Sequence, residues 1–496
     1  MTSVHYEALI VGAGFAGIGA AIQLKRMGYE NFVILDREDD LGGTWHVNHY
    51  PGLAVDVPTT TYSYFFEPNP NWSRLFSTGA EIKQYADDVA DKYDVRRHIR
   101  FNTVVSGARW DEETACWRVG LADGETLTAR YLFTATGFLS QPRLPEIAGI
   151  ENFEGRVVHT TEWDDSYDPT GERVGIIGTG ATAVQLIPEL ADKAADLTVY
   201  QRTPIWVAPK LDFRISERAR RLFARIPLTQ RIVRAITDTI YEMMITVGVV
   251  HYRVPFFRRL NISAMDLCKI NQFIQVRDKD LRRRLTPDYD IGCKRPTFSN
   301  KYFRTFTKPH VHLQSDGIDH VTADGIVNAD GSKTVIDTLV LATGFDLWEA
   351  NFPAIEVIGR DGRNLGKWWR ENRFQAYQGV SMPFFPNYLS LASPYAFLGL
   401  NFFNTMEYQM RLMARLFGEV ERRGATTFEV TEAANAAYLD RMTEMLGDSL
   451  WTLGNCASSR SYYFNPHGEP SLLRPMSTRT AIEEASNFPL TDYAIS

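Results

Sequence analysis

The feature that most restricts this chain is a glycine-rich turn from strand to helix that occurs twice. Residues 6–12 (YEALIVG) form an apolar run of strand length, followed by GAGFAG from Gly12 to Gly17. An alanine-rich helical stretch runs on to a stop at Gly28, and the strand NFVILD ends at Asp36. Strand, glycine turn, helix, strand and acid make the βαβ dinucleotide unit. The same grammar returns as the strand ERVGIIG, the turn GTGATA from Gly178 to Ala183, the helical AVQLIPELA and the strand DLTVYQR, which ends at Arg202. Each unit also has an ATGF echo, one ending at Phe138 and the other at Phe345. The duplication predicts an α/β chain with two Rossmann-like dinucleotide-binding domains, the second inserted into the first.

The two turns differ in the charge that follows them. In the first, Gly12 allows the tight turn, Gly14 lets the backbone approach a pyrophosphate, and Gly17 lets the helix pack close to the strand. Unpaired N–H groups at the helix start then face the phosphates. Asp36 ends its strand where a carboxylate accepts hydrogen bonds from ribose hydroxyls and repels a 2′-phosphate. The first unit therefore suits FAD, or less well NAD. In the second, Gly178, Thr179, Gly180, Ala181 and Thr182 form the turn, with Gln185 and Thr203 near it. Arg202 reverses the sign, since a guanidinium forks onto a phosphate, so this unit prefers NADPH. Two such units imply a relay in which NADPH reduces FAD and FAD reduces an acceptor.

At 496 residues the chain holds roughly three domains' worth of fold at about 150 residues each. We expect residues 1–145 to be the first part of an FAD-binding domain and 146–335 an NADPH-binding domain with a helical insertion around 211–285. Residues 336–496 would complete the FAD domain and cover substrate and cofactor. In the insertion Ile215, Ala219, Leu222, Phe223 and Ile226 recur at helical spacing, with Arg214, Arg218, Arg220, Arg221 and Arg225 mostly between them. With 53 Lys+Arg against 60 Asp+Glu, a net charge of −7, this reads as a solvated helix face and not a nucleic-acid patch. Cys116, Cys268, Cys293 and Cys456 lie far apart without a CxxC pair. They predict neither a metal site nor a disulfide framework, and a reducing cytoplasm is the default. Without a redox cysteine pair to reduce, the acceptor is oxygen or a small oxidant. Glu7 interrupts a start with no basic region, so no signal peptide is expected. Met243 to Val250, the most apolar stretch, is too short to span a bilayer, which needs about 20 residues.

Three further stretches make a specific pattern. Residues 153–164, FEGRVVHTTEWD, fit F-x-G-x-x-x-H-x-x-x-W-[PD] through Phe153, Gly155, His159, Trp163 and Asp164. Residues 42–52 read GGTWHVNHYPG, and 293–296 read CKRP. With the two turns and their echoes, the chain resembles the type I Baeyer–Villiger monooxygenases from Tyr6 to about Asn465. The resemblance implies an FAD-containing, NADPH-dependent enzyme that inserts one atom of O2 beside a ketone carbonyl through an anionic C4a-peroxyflavin. Arg295 matches the family's catalytic arginine, whose permanent charge suits an anionic oxygen donor and a tetrahedral oxyanion. Asp56, in GLAVDVP, matches an acid that holds it beside the flavin. Phe15, Gly43, Thr44, Trp45, Tyr62 and Val105 match flavin-site positions. Lys294 points at the NADPH 2′-phosphate and Trp451 at the nicotinamide nucleotide. His159 is either a coupling across the domain joint or a structural histidine.

The chain departs from the family at Asp36, where Glu is more frequent, and at His49, where HYPG replaces RYPG. The stretch SPYAFLGLNFFNTMEYQM supplies Tyr395, Phe397, Phe402 and Phe403 as candidates for an apolar substrate pocket or lid. The reading is an enzyme that turns a small apolar ketone into an ester or lactone and also oxidises sulfides. The alternatives are an N- or S-oxygenating flavin monooxygenase and an NADPH oxidase.

Overall fold

The computed structural model describes residues 5–243, 248–399 and 401–496. The first strand, His5–Val11, is buried on both faces from Ala8 onward and pairs in parallel with Phe32–Leu35 and Thr126–Thr134. Continuous burial of this kind marks a central parallel strand. Its sheet runs Glu356–Ile358, Val105–Asp111, Cys116–Leu121, Thr126–Thr134, His5–Val11, Phe32–Leu35, Ile99–Arg100, and Tyr388–Ser390 also pairs with Thr126–Thr134. A second sheet of five parallel strands runs Val311–Gln314, Asp196–Tyr200, Arg173–Ile177, Thr338–Leu341, Arg156–His159. Each sheet has its own apolar core. The helix Phe402–Arg423 belongs to the first, where Phe403 packs on Phe15 with ring centroids 4.8 Å apart.

The two halves solve the turn in the same way, and this explains the ATGF echoes. Val11 lies opposite Thr134, and Ile177 lies opposite Leu341. The alanine after each of those partners presses its carbonyl against the first glycine of the turn. A Cβ on Gly12, at φ +109°, would sit 2.5 Å from the Ala135 oxygen; on Gly178, at φ +120°, 2.3 Å from that of Ala342. Only glycine combines that backbone conformation with that approach. The third turn position differs: a Cβ on Gly17 would fall 1.9 Å from the Gly12 oxygen, whereas the second unit carries Ala183 there, fully buried.

One expectation is corrected and another is met. The strand Thr338–Leu341, placed in the returning segment, lies inside the second sheet between Arg173–Ile177 and Arg156–His159. A boundary at 335/336 would cut that sheet, because each ATGF strand neighbours the glycine-turn strand of its own unit. The chain rejoins the first sheet at Glu356–Ile358. The insertion is helical over Glu217–Arg225, Pro227–Tyr241, Gly248–Val250, Pro255–Gln275 and Lys279–Leu285. Of its apolar series, Ile215 packs against the first core, Ala219 and Phe223 are half-buried, and Leu222 and Ile226 are exposed. Among the described residues no helix is long and apolar enough to cross a membrane. Of Met243 to Val250, residues 244–247 lie outside the described residues.

The third turn position gives a test. Gly17→Ala should lower stability in denaturant titration by about 3 kcal/mol or more, because the clash is with backbone. Ala183→Gly should cost only about 1 kcal/mol.

Candidate functional site

The helix starts Phe15–Arg26 and Ala181–Leu190 open into one cleft of about 1740 Å³. That exceeds the span usual for a single small-molecule pocket, roughly 300–1,000 Å³. Both helices begin at a glycine, Gly14 and Gly180, with no side-chain cap and no acid in the first turn. Elsewhere Thr78, Ser216 and Asp278 cap their helices with side-chain oxygens. The two turns thus leave their positive ends for an anion. Gly14 also approaches Gly43 so closely that a Cβ on Gly43 would lie 3.1 Å from the Gly14 Cα.

The centre of the cleft is an ion pair. Arg295 forks onto Asp56, with Nε donating to Oδ2 at 2.6 Å and Nη2 to Oδ1 at 2.7 Å. About a quarter of each side chain is exposed, and both line the cleft. Burial alone would lower the arginine pKa, but the Asp56 carboxylate more than offsets it, so the guanidinium is held above its ordinary value. The sequence explains both placements. In Val55–Asp56–Val57 the valines turn into a small core with Phe76, which leaves the aspartate facing the cleft. Arg295 sits in a loop clamped on both sides. Thr297 donates its N–H to the Trp206 carbonyl at 3.0 Å, and Cys293 is disulfide-bonded to Cys456.

Around this pair the flavin-side candidates are gathered. Gly12, Gly14, Phe15, Asp36, Gly43, Thr44, Trp45, Tyr62 and Val105 line the cleft. Trp45 Nε1 donates to the Tyr62 hydroxyl at 3.1 Å. Asp36 accepts from the N–H groups of Ala13 and Glu38. Burial raises its pKa, opposed by those two bonds.

The second unit lines the same cleft through Gly178, Thr179, Gly180, Ala181, Thr182, Gln185, Arg202, Thr203 and Lys294. Gln185 ties the units together, its Nε2 donating to the Ala54 carbonyl at 2.8 Å and its Oε1 accepting from Tyr50 at 3.2 Å. Four cations meet on this wall. Burial lowers the Arg202 pKa, reinforced by Arg460 and Arg143, and burial lowers that of Lys294, reinforced by Arg202. Among the described residues none of the four has an acid within ion-pair distance, so the wall is built for an anion from elsewhere.

Other candidates lie apart from the cleft. Gly17 only packs the helix on its strand. The fingerprint residues build the edge of the second sheet: Phe153 is in a core cluster, Gly155 admits the Asp337 carbonyl, and Trp163 packs on Tyr167. Asp164 pairs with Arg156 at 3.1 Å. His159 is buried with Nδ1 on Thr161, and burial lowers its pKa, which fits the structural alternative. Trp451 is also in the core; its indole donates to the Gly292 carbonyl at 3.1 Å and braces the arginine loop from behind. His49 pairs with Asp165 at 2.8 Å, away from the cleft. Of the four aromatics, Phe397 and Phe402 line the cleft, while Tyr395 and Phe403 are buried.

Sequence reasoning missed three things. Tyr462, Tyr463 and Phe464 line the cleft beside Arg295, and burial holds both tyrosines neutral with raised pKa values. The run YYF was the available signal. Arg143 and Arg460 carry none that sets them apart from other arginines. The expectation of no disulfide is overturned by Cys293–Cys456, residues 163 apart in sequence and paired only by the fold. Neither sulfur-bearing residue lines the cleft.

Residues 9–245 match the family described as pyridine nucleotide-disulphide oxidoreductase. A Baeyer-Villiger monooxygenase of Streptomyces coelicolor is 35% identical over 494 residues, 99% of this chain and 93% of that protein. Cyclohexanone monooxygenase from Rhodococcus sp. Phi1, solved bound to NADP+, aligns with TM-score 0.88 at 26% identity over 100% of this chain and 99% of that one. OTEMO in complex with FAD and NADP aligns with TM-score 0.86 at 28% identity over 100% of both chains.

The cross-link behind Arg295 makes the last point testable. Cys456→Ser should destabilise the protein by about 3–5 kcal/mol, since the bond closes a long loop. Cys116→Ser, at an unpaired cysteine, should leave the denaturation midpoint unchanged.

Proposed function

The chain belongs to the Baeyer–Villiger monooxygenase family, and from that premise we propose that it inserts one oxygen atom of O2 beside the carbonyl of an apolar ketone, giving an ester or lactone. FAD occupies the first glycine turn and NADPH the second. The fit rests on the uncapped helix starts, the Gly14–Gly43 approach and the opposite charges of Asp36 and the four-cation wall. When bound, FAD takes electrons from NADPH and supplies activated oxygen. The rest falls to the protein. Arg295 stabilises negative charge on the substrate's carbonyl oxygen as its carbon becomes tetrahedral. Asp56 keeps the guanidinium in one orientation between turnovers, so little reorganisation accompanies reaction. Phe397 and Phe402 hold the apolar body of the ketone and keep water from it.

The observation that carries this reading is the bidentate Arg295–Asp56 pair in a cleft shared by both turns. Disulfide reduction fits poorly, since Cys293 and Cys456 do not line that cleft. Sulfides of similar shape suit the same apolar wall, and we include sulfoxidation as a secondary activity.

The test is turnover of a panel of ketones and sulfides with NADPH under 18O2. We expect esters carrying one labelled oxygen per NADPH consumed; hydrogen peroxide as the sole oxygen product would refute the proposal. Arg202→Ala should raise the KM for NADPH roughly 10–100-fold with little change for NADH, as expected for loss of a charge-assisted phosphate contact. Because Lys294 loses its proton below the ordinary lysine value of 10.5, the NADPH KM should rise with alkaline pH through that lowered pKa. The NADH KM should not follow.

A further inference from the structure

The insertion is built inside out. Apart from Val104, Leu144, Val157, Val335 and Leu453, every exposed large apolar residue described lies between 211 and 274. The helix Pro227–Tyr241 buries Gln230 and Arg234, and Pro255–Gln275 buries Asn261, Cys268 and Gln272. Their outward faces are apolar: Leu228, Ile232, Ile236 and Ile240 follow each other at four-residue spacing and are 50–62% exposed. This orientation is fixed by polar clamps. Gln230 donates to the Asn69 carbonyl at 2.6 Å, Arg234 to that of Ser63 at 2.8 Å, and Asn261 to that of Ile291 at 2.7 Å. Rotating either helix to hide its leucines and isoleucines would leave those buried groups unpaired. A soluble face gains nothing from such a stripe, and exposed apolar surface of this extent marks a docking site.

Charge says what docks. Residues 211–285 carry sixteen Lys and Arg against seven Asp and Glu, a local charge of +9 in a chain of net charge −7. A second copy would bring +9 against +9, which disfavours self-association. A polynucleotide would leave the isoleucine stripe in water. An apolar stripe flanked by arginines matches a bilayer surface, where acyl chains take the former and anionic headgroups the latter.

We propose that the insertion is an interfacial docking face for membranes bearing anionic lipid headgroups. The helices lie in the plane of the interface and do not cross it, and the binding is independent of the catalytic reading above.

The test is flotation of the full-length protein with phosphatidylcholine vesicles, with or without roughly one-third phosphatidylglycerol, at low and high salt. The protein should float with the anionic vesicles and bind at least about ten-fold more weakly to neutral ones or in high salt. Ile232→Glu/Ile236→Glu should abolish flotation without shifting the thermal midpoint, since both side chains are exposed. Arg218→Ser/Arg225→Ser should reduce both the affinity and its salt dependence. Failure to float with either vesicle overturns the proposal, as does equal binding to both that survives the isoleucine changes. A dimer seen by light scattering and split by those same changes would assign the face to a second copy instead, and would equally overturn it.

Discussion

The pairing of one guanidinium with one carboxylate constrains everything around it. Arg295 and Asp56 are separated by 239 residues, and each belongs to the wall of a different glycine-turn unit. Taking a charge out of water is costly unless it is paired in good geometry, and removing either partner strands the other. The surrounding structure is therefore devoted to position. Val55 and Val57 anchor the acid, Thr297 and the Cys293–Cys456 bond hold the loop of the base, and Trp451 fills the space behind it. The permanent charge of arginine suits this place, because Asp56 holds its pKa above an already high ordinary value.

The two nucleotide units share a backbone solution and differ in electrostatics. In both, an alanine carbonyl from the ATGF strand meets the first glycine, and a helix starts with its N–H groups uncapped. One then presents a carboxylate fixed by two backbone donors, the other four cations without partners among the described residues. On the proposed reading, geometry suits a pyrophosphate at both turns, and charge assigns FAD to the first and NADPH to the second.

What was legible in the sequence follows from how local each signal is. The turns, their strands and Asp36 are read from contiguous residues whose spacing carries the mechanics, and Lys294–Arg295 sits in a short motif. Tyr462 and Tyr463 escaped because nothing within a few residues says which aromatic of the C-terminal part reaches the cleft; Trp451, eleven positions earlier, stands in the core instead. The disulfide escaped because pairing over 163 residues is a property of the fold. The insertion was legible as helical, but not in its orientation. Helical spacing alone does not say which face turns to the protein, and Pro227–Tyr241 turns in Gln230 and Arg234 while its isoleucines face out.

The account rests on Arg295 acting on the oxygen-transfer step and not on cofactor reduction. The direct measurement is Arg295→Ala, with NADPH oxidation and ester formation followed in the same reaction. The account requires NADPH oxidation to continue while ester formation falls by about 10²–10³-fold, the loss typical of an oxyanion donor. Ester formation at the parental rate would contradict it.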